Sequence, residues 1–317
     1  MITLDDIKQA REQVSPYVKR TPLDKSTTLS RELGTNVYLK LELFQKTGSF
    51  KPRGAFNQIL QLTSDQRRRG VVGVSGGNFA QGLAYAGREL GTPVVVCMPE
   101  STPRNYVEAT QAYGAKLDLA PTIAQAFARA DEYQRQGWNL LHPFDSPYQM
   151  AGVGTIGLEL LEDLPGLTDV FVSIGGGGLI AGITVAVKAL KPDVRVWGVE
   201  TEGADTMGQA LRAGKVVHIT PTSLAKTLNS PYVAEDALLL MQQHLKQHML
   251  VSDKEAFEAG VFLLERVKLN TELAASCNLA AARRLKGTFT ETDHVALVIC
   301  GGNIALDNWV EYRQLFG

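Results

Sequence analysis

Strand-like and helix-like runs alternate twice along this chain of 317 residues, so it is read as an α/β protein carrying two parallel-sheet domains. In the first series, residues 71–75 read as a strand and 78–90 as a helix, followed by strand 93–98, helix 104–113, strand 116–120 and helix 123–136. The second begins near Gly152, with helix 155–164, strand 169–174, helix 179–190 and strand 195–200; an apolar strand at 294–300 closes the set. The length itself suits two cores rather than one. Upstream, Thr3 with Asp6 three residues on reads as a capping box for an opening helix, and residues 37–43 alternate as a strand. The residues before 68 lack an α/β layer of their own and are expected to pack on the later part. That gives a small mobile domain at 68–147 and a large domain formed by 1–67 and 148–317, with a small-molecule cleft between them.

Composition narrows the partners. A hydrophobic fraction of 44% and a charged fraction of 21% are ordinary for a soluble enzyme, and a net charge of -1 argues against nucleic acid or an anionic membrane as partner. Cys97, Cys277 and Cys300 are too few and too scattered for a disulfide framework and suit a reducing cytoplasm. The N-terminus carries early acids and no basic-then-apolar leader, and no apolar run reaches the ~18 residues that span a bilayer. A cytoplasmic protein is expected, without a C-terminal amino-acid-binding module after Asn303.

Several stretches carry chemistry. Lys51 lies in Thr47-Gly48-Ser49-Phe50-Lys51-Pro52-Arg53-Gly54, where small residues allow close approach to its amine, and an amine can form a Schiff base. Gly175-Gly176-Gly177-Gly178-Leu179 ends a strand-like run and opens a helix-like one, a corner of bare amides suited to phosphate. One cofactor needs both an amine and a phosphate cradle: pyridoxal 5'-phosphate. Ser75-Gly76-Gly77-Asn78-Phe79 is a second strand-to-helix turn, whose free amides suit a substrate carboxylate. Two rivals share these residues. Residues 73–77 fit a G-x-S-x-G nucleophile elbow, with His142, His218 or His294 to complete a triad. Gly176-x-Gly178-x-x-Ala181 fits a dinucleotide fingerprint, with Glu200 as its ribose-binding acid, and so suggests an NAD-dependent dehydrogenase. His244 and His248, spaced i, i+4 without a zincin glutamate between them, read as a solvated helix face.

On Lys51, the Ser75 turn, the glycine run and Cys300-Gly301-Gly302-Asn303, the chain resembles the pyridoxal-phosphate enzymes of the tryptophan-synthase-β type (fold type II). Within them it resembles the serine/threonine dehydratase and serine racemase branch, and the likeness covers nearly the whole chain. The resemblance implies two α/β domains with the cofactor in the cleft between them. It implies that Lys51 holds the cofactor aldehyde and then acts as the base at Cα, with Phe50 flanking the ring and Asn78 at its phenolic oxygen. The glycine run with Leu179 holds the phosphate, and Cys300 lies beside the pyridine nitrogen, where a neutral thiol makes the ring a weaker electron sink. Ser75, Gly76, Gly77, Asn78 and Phe79 take the substrate.

The chain departs from the pattern in places. Gly76 stands where the racemases carry a second-face serine, and Phe79 replaces the usual histidine; Phe79, Phe144 and Val153 are expected to line or support the pocket. Glu272 opens a stretch like the family's Glu-Pro-x-x-Ala and is either near the cofactor edge or a solvated helix-start acid. Relatives bind a cation near Glu200; here the matching stretch, 200–206, has threonine at 206 beside Asp205, so Glu200 is only a candidate ligand. The implied activity is a lyase reaction: dehydration of a β-hydroxy amino acid of the L-threonine/L-serine class to a 2-oxo acid and ammonia, by a homodimer. Dehydration of 3-hydroxyaspartate or a bulkier substrate, serine racemisation, β-replacement as in cysteine synthases, and a sensor without turnover are the alternatives on the same site.

Overall fold

The structure, a computed structural model, describes all 317 residues. Its ten strands are β1 (Leu23–Lys25), β2 (Asn36–Lys40), β3 (Val71–Val74), β4 (Val94–Pro99), β5 (Lys116–Ala120), β6 (Asn139–Leu140), β7 (Asp169–Ser173), β8 (Arg195–Thr201), β9 (Leu245–Val251) and β10 (His294–Val298). They form two sheets. One has the order β1-β2-β10-β7-β8-β9, parallel except for β1, and the other the order β5-β4-β3-β6, parallel throughout. The central strands β3 and β7 are buried at every position, as strands covered by helices on both faces must be. The edge strands β1 and β9 expose Asp24, Lys25, Lys246 and Gln247, charged or polar side chains that discourage pairing with another chain.

Side chains of the four-stranded sheet alternate between two cores. Val71, Val94, Val96 and Met98 face one; Val72, Val74, Val95 and Cys97 face the other. The first core also receives Ala55, Phe56 and Ile59 from the Lys51–Leu60 helix. That helix packs in turn on the Pro147–Asp163 helix beside the six-stranded sheet, so it lies between the two sheets. The crossing is close because it is made at glycine: a Cβ on Gly152 would lie 2.8 Å from the Gly54 Cα.

The opening helix, Leu4–Val14, carries the expected capping box, with Thr3 and Asp6 exchanging bonds at 2.7 and 3.2 Å. Two elements differ from expectation. The helix expected at 155–164 begins at Pro147, two turns earlier, capped by Ser146. Gly152, Gly154 and Gly157 weaken the helical signal there, yet they are the positions where neighbouring helices come closest. His244 and His248 do not share a helix face. The helix Glu235–His244 stops at the first, and the second lies on β9, whose β-pattern was masked by polar edge residues. No helix is long and apolar enough to cross a membrane.

Chain order reverses once in each sheet. In the smaller one, β4 and β5 run outward from β3 on one side and β6 returns on the other; in the larger, β8 and β9 run outward from β7 and β10 returns beside it. Such switch points open crevices at the carboxyl ends of parallel strands. Ser75 follows β3, Gly175 follows β7 and Cys300 follows β10, so topology alone sends all three motifs to crevice mouths.

Candidate active site

Lys51 reaches the crevice through a detour after β2. Two tight turns, Glu42–Phe44 and Lys46–Gly48, end with Thr47 and Gly48 both left-handed, at φ 65 and 73. A threonine rarely holds this conformation; here its carbonyl accepts from the Asn303 amide at 2.7 Å. The next residues are stitched to the end of β10. Gly302 N–H donates to the Gly48 carbonyl at 3.0 Å, Ser49 bridges Gly301, and Phe50 N–H donates to the Cys300 carbonyl at 3.1 Å. Lys51 therefore opens its helix directly beside Cys300.

The Lys51 amine donates to the Pro143 carbonyl at 2.7 Å and lies 5.0 Å from the centre of the Phe50 ring and 5.8 Å from that of Phe79. Desolvation pulls it from the ordinary 10.5 down to about 8, against the attraction of Cys300 and Glu272. It is a lysine prepared to be neutral. The segment that bonds it is braced by His142, whose Nδ1 accepts from the Phe144 and Asp145 amides while Nε2 meets the Tyr232 hydroxyl at 3.1 Å. Burial, then the Lys51 charge, hold this imidazole down at about 4, so it is neutral and serves as an acceptor.

Across the crevice, Asn78 begins a helix of twelve residues, Asn78–Glu89. Ser75 Oγ accepts from Gly77 N–H at 3.1 Å, while the amides of Gly76, Asn78 and Phe79 donate to no group of the chain. Asn78 is held from both sides: its Nδ2 donates to Glu272 at 2.9 and 3.1 Å, and its Oδ1 accepts from Asn303 at 2.7 Å. Glu272 also accepts from Thr227 Oγ1 at 2.7 Å and from the Asn303 amide at 2.9 Å. It is buried, not solvated; burial raises its carboxyl, and these donors work in the opposite direction. Phe79 is buried in the core of the smaller sheet, with the Lys51 amine over its ring. Val153 is fully buried in the larger core, which also takes in Leu179 and Cys300.

The glycine corner has the strongest signature. The amides from Gly175 to Leu179 donate to no carbonyl or side chain, and Gly177 turns the chain at φ 88 into the helix Gly178–Leu190. Consecutive buried N–H groups without partners are rare in folded proteins, and at a helix start they suit an anion. Phe144 lies flat over this corner, where any side chain at Gly176 would collide with its ring. Cys300 completes the site: its Sγ is 3.4 Å from Ser173 Oγ, and burial pushes the thiol up to about 12, so it is neutral.

The rival readings lose their partners. No histidine approaches Ser75: His142 is spent on its own loop and Tyr232, His218 packs on Tyr232, and His294 stacks on Tyr38. Glu200 cannot receive a ribose or serve readily as a cation ligand. Its buried oxygens accept from the Met207 and Gly208 amides at 2.8 and 2.9 Å and pair with His248 Nε2 at 2.7 Å. Asp205 is likewise turned onto Gln209 and Arg212 of the helix it caps.

Sequence reasoning had no role for Thr227, Pro143, Tyr232 or the Asn303 side chain, since each contributes one atom from a loop or, for Thr227, a single 3-10 turn. What the remaining residues hold together is a desolvated amine, five orphaned amides within one crevice and a neutral thiol. That set fits pyridoxal 5'-phosphate: aldehyde, phosphate and ring nitrogen each find a chemically matched group.

Comparison with known proteins agrees. The family described as pyridoxal-phosphate dependent enzyme matches residues 14–301. The chain is 41% identical over 308 residues to L-threonine ammonia-lyase of Thermotoga maritima, covering 96% of this chain and 76% of that protein. It is 35% identical over 312 residues to the catabolic L-threonine dehydratase TdcB of Staphylococcus aureus, covering 96% and 90%. Maize serine racemase superposes with a TM-score of 0.93 at 32% identity, covering 99% of this chain and 98% of that one. The T.th. threonine deaminase gives 0.90 at 36%, covering 96% and 99%. The fold is the fold type II arrangement, and the chain belongs to the pyridoxal-phosphate dependent enzymes.

Proposed function

We propose that this chain is an ammonia-lyase that dehydrates β-hydroxy amino acids of the L-threonine/L-serine class to a 2-oxo acid and ammonia. One observation carries the choice among the chemistries of the family: the Lys51 amine enters the crevice, while residue 76 is a glycine and the one hydroxyl filling its side-chain space, that of Thr102, is an alcohol with no hydrogen-bonded base to draw off its proton. Elimination needs one base; exchange of the Cα proton between two faces needs a second group opposite.

In this reading Lys51 would anchor the cofactor, the amides of Gly175–Leu179 would hold its phosphate, and Phe50, Asn78 and Cys300 would flank its ring. When bound, the cofactor spreads the negative charge that develops at Cα. The Ser75–Phe79 turn holds the substrate carboxylate and so fixes Cα within reach of the Lys51 Nζ, which makes proton removal an intramolecular step. Nζ takes the Cα proton and delivers it to the β-hydroxyl as the Cβ–O bond breaks, so that the oxygen leaves as water. The released enamine tautomerises and hydrolyses to the 2-oxo acid and ammonia. The enzyme is proposed to act as a homodimer in the cytoplasm, on the family likeness and on three buried unpaired cysteines that suit reducing conditions. Residues 68–147 are proposed to move as a unit against 1–67 and 148–317.

The test is a panel of L- and D-β-hydroxy amino acids assayed for 2-oxo acid and, in parallel, for inversion by chiral chromatography. L-threonine or L-serine is expected to give 2-oxo acid with little or no enantiomer; inversion outrunning elimination sinks the proposal. A second expectation concerns pH. Only the neutral amine attacks an aldehyde, and the Lys51 amine is half neutral at about 8 instead of 10.5. Stopped-flow capture of pyridoxal phosphate by cofactor-free protein should therefore quicken about tenfold per unit below pH 8 and level off above it. A rise that continues to pH 10 would contradict the desolvated amine.

A further inference from the structure

The substrate turn after β3 has an anion-ready face that its own side chains leave incomplete. The amides of Gly76, Asn78 and Phe79 are unpaired and open a twelve-residue helix, where negative charge is favoured. Gly76 brings no side chain. A Cβ built on it would lie 2.7 Å from the hydroxyl oxygen of Thr102, which comes from the loop after β4. Thr102 thus puts its hydroxyl into the space that a side chain at 76 would take. The residue is 9% exposed, and its hydroxyl is buried without any hydrogen-bond partner. Buried hydroxyls nearly always have one.

We propose that Thr102 is a substrate-positioning residue whose hydroxyl donates to the carboxylate held on the Gly76, Asn78 and Phe79 amides. This rests on the reading of that turn as the carboxylate site. A hydroxyl rotates freely to present its proton, and a bond to an ionised carboxylate is stronger than one to a neutral acceptor. The placement is rigid. β3 and β4 are paired neighbours, with Val74 opposite Cys97, and Thr102 N–H donates to the Pro99 carbonyl at 2.9 Å. The turn and the hydroxyl therefore travel together, whatever the rest of the chain does.

Thr102→Val keeps the shape and deletes the hydroxyl, whereas Thr102→Ser keeps the hydroxyl. Each holoenzyme is titrated, by the change in cofactor absorbance, with L-alanine, which has no β-leaving group, and with L-alaninamide, which lacks the carboxylate. Thr102→Val should weaken L-alanine by about tenfold or more and leave L-alaninamide within about twofold, with Thr102→Ser near wild type for both. In turnover, KM should rise by the same factor with kcat nearly unchanged. Equal L-alanine affinity in wild type and Thr102→Val overturns the proposal, as does an equal loss for both ligands or a wild type that does not bind L-alanine. If wild type binds L-alanine but makes no 2-oxo acid from any β-hydroxy amino acid, the proposed reaction fails while the titration still decides the role of Thr102.

Discussion

Lys51→Ala is expected to fold normally and to yield no 2-oxo acid above background. Loss of the proton-transfer role alone costs about 100- to 10,000-fold, and the same substitution removes the amine that anchors the cofactor. The fold should tolerate it, because Lys51 spends its only side-chain hydrogen bond on the Pro143 carbonyl and carries a desolvated amine that favours the unfolded chain. Two measurements separate chemistry from folding. Thermal unfolding should be close to that of the cofactor-free wild type, and borohydride treatment should add cofactor mass to the wild type but not to the variant. A variant that keeps full turnover ends the proposed mechanism.

Arg53→Ala should have the largest effect on stability. Two residues beyond Lys51 on the same helix, the Arg53 guanidinium donates to Glu42 at 2.8 and 2.9 Å and to Glu159 at 2.6 and 2.9 Å. Lys40 reaches Glu159 at 2.5 Å and the Thr21 carbonyl at 2.8 Å. All four charged side chains are buried, and two cations balance two carboxylates. Burial alone works against the charge on Arg53, and the two glutamates outweigh it, so the guanidinium stays ionised. Deleting it leaves two buried carboxylates facing one lysine, a loss of roughly 3–5 kcal/mol out of a total stability of about 5–15 kcal/mol. Urea denaturation should show that drop, and cofactor occupancy should fall with it. Arg53→Lys should recover little, since an ammonium has three donors and cannot make the guanidinium's paired bonds to each of two carboxylates. A change below about 1 kcal/mol would mean that water reaches the cluster and screens it.

Most of the site was readable because its residues sit in short contiguous motifs at the ends of strongly patterned strands. Val71–Val74 and Asp169–Ser173 are apolar runs bounded by glycine, so both their type and the turns that follow were plain. The strand at 245–251 was not. As a sheet edge it carries Lys246, Gln247 and His248, and nothing in its local pattern separates it from the preceding helix. The start of the Pro147–Asp163 helix was hidden because its glycines answer to packing between helices, a tertiary demand that lowers local propensity. Glu272 illustrates the limit for the site. Its stretch was noticed, but whether it was solvated depended on Asn78, Thr227 and Asn303, which lie 194, 45 and 31 residues away in sequence. Thr102 left no signal, since a lone threonine after a strand looks like any loop residue.

The Ser75 turn, the glycine corner and Cys300 hang from the rims of the sheets, whereas the charge cluster and the three cores lie beneath them. Apart from Lys51, which shares its helix with Arg53, reactivity and stability are written in separate parts of the chain, and a few exchanges on the rim redirect the chemistry without disturbing the foundation. That separability makes this scaffold evolvable. It accounts for a serine racemase and a threonine deaminase matching this backbone almost equally well at about one-third identity.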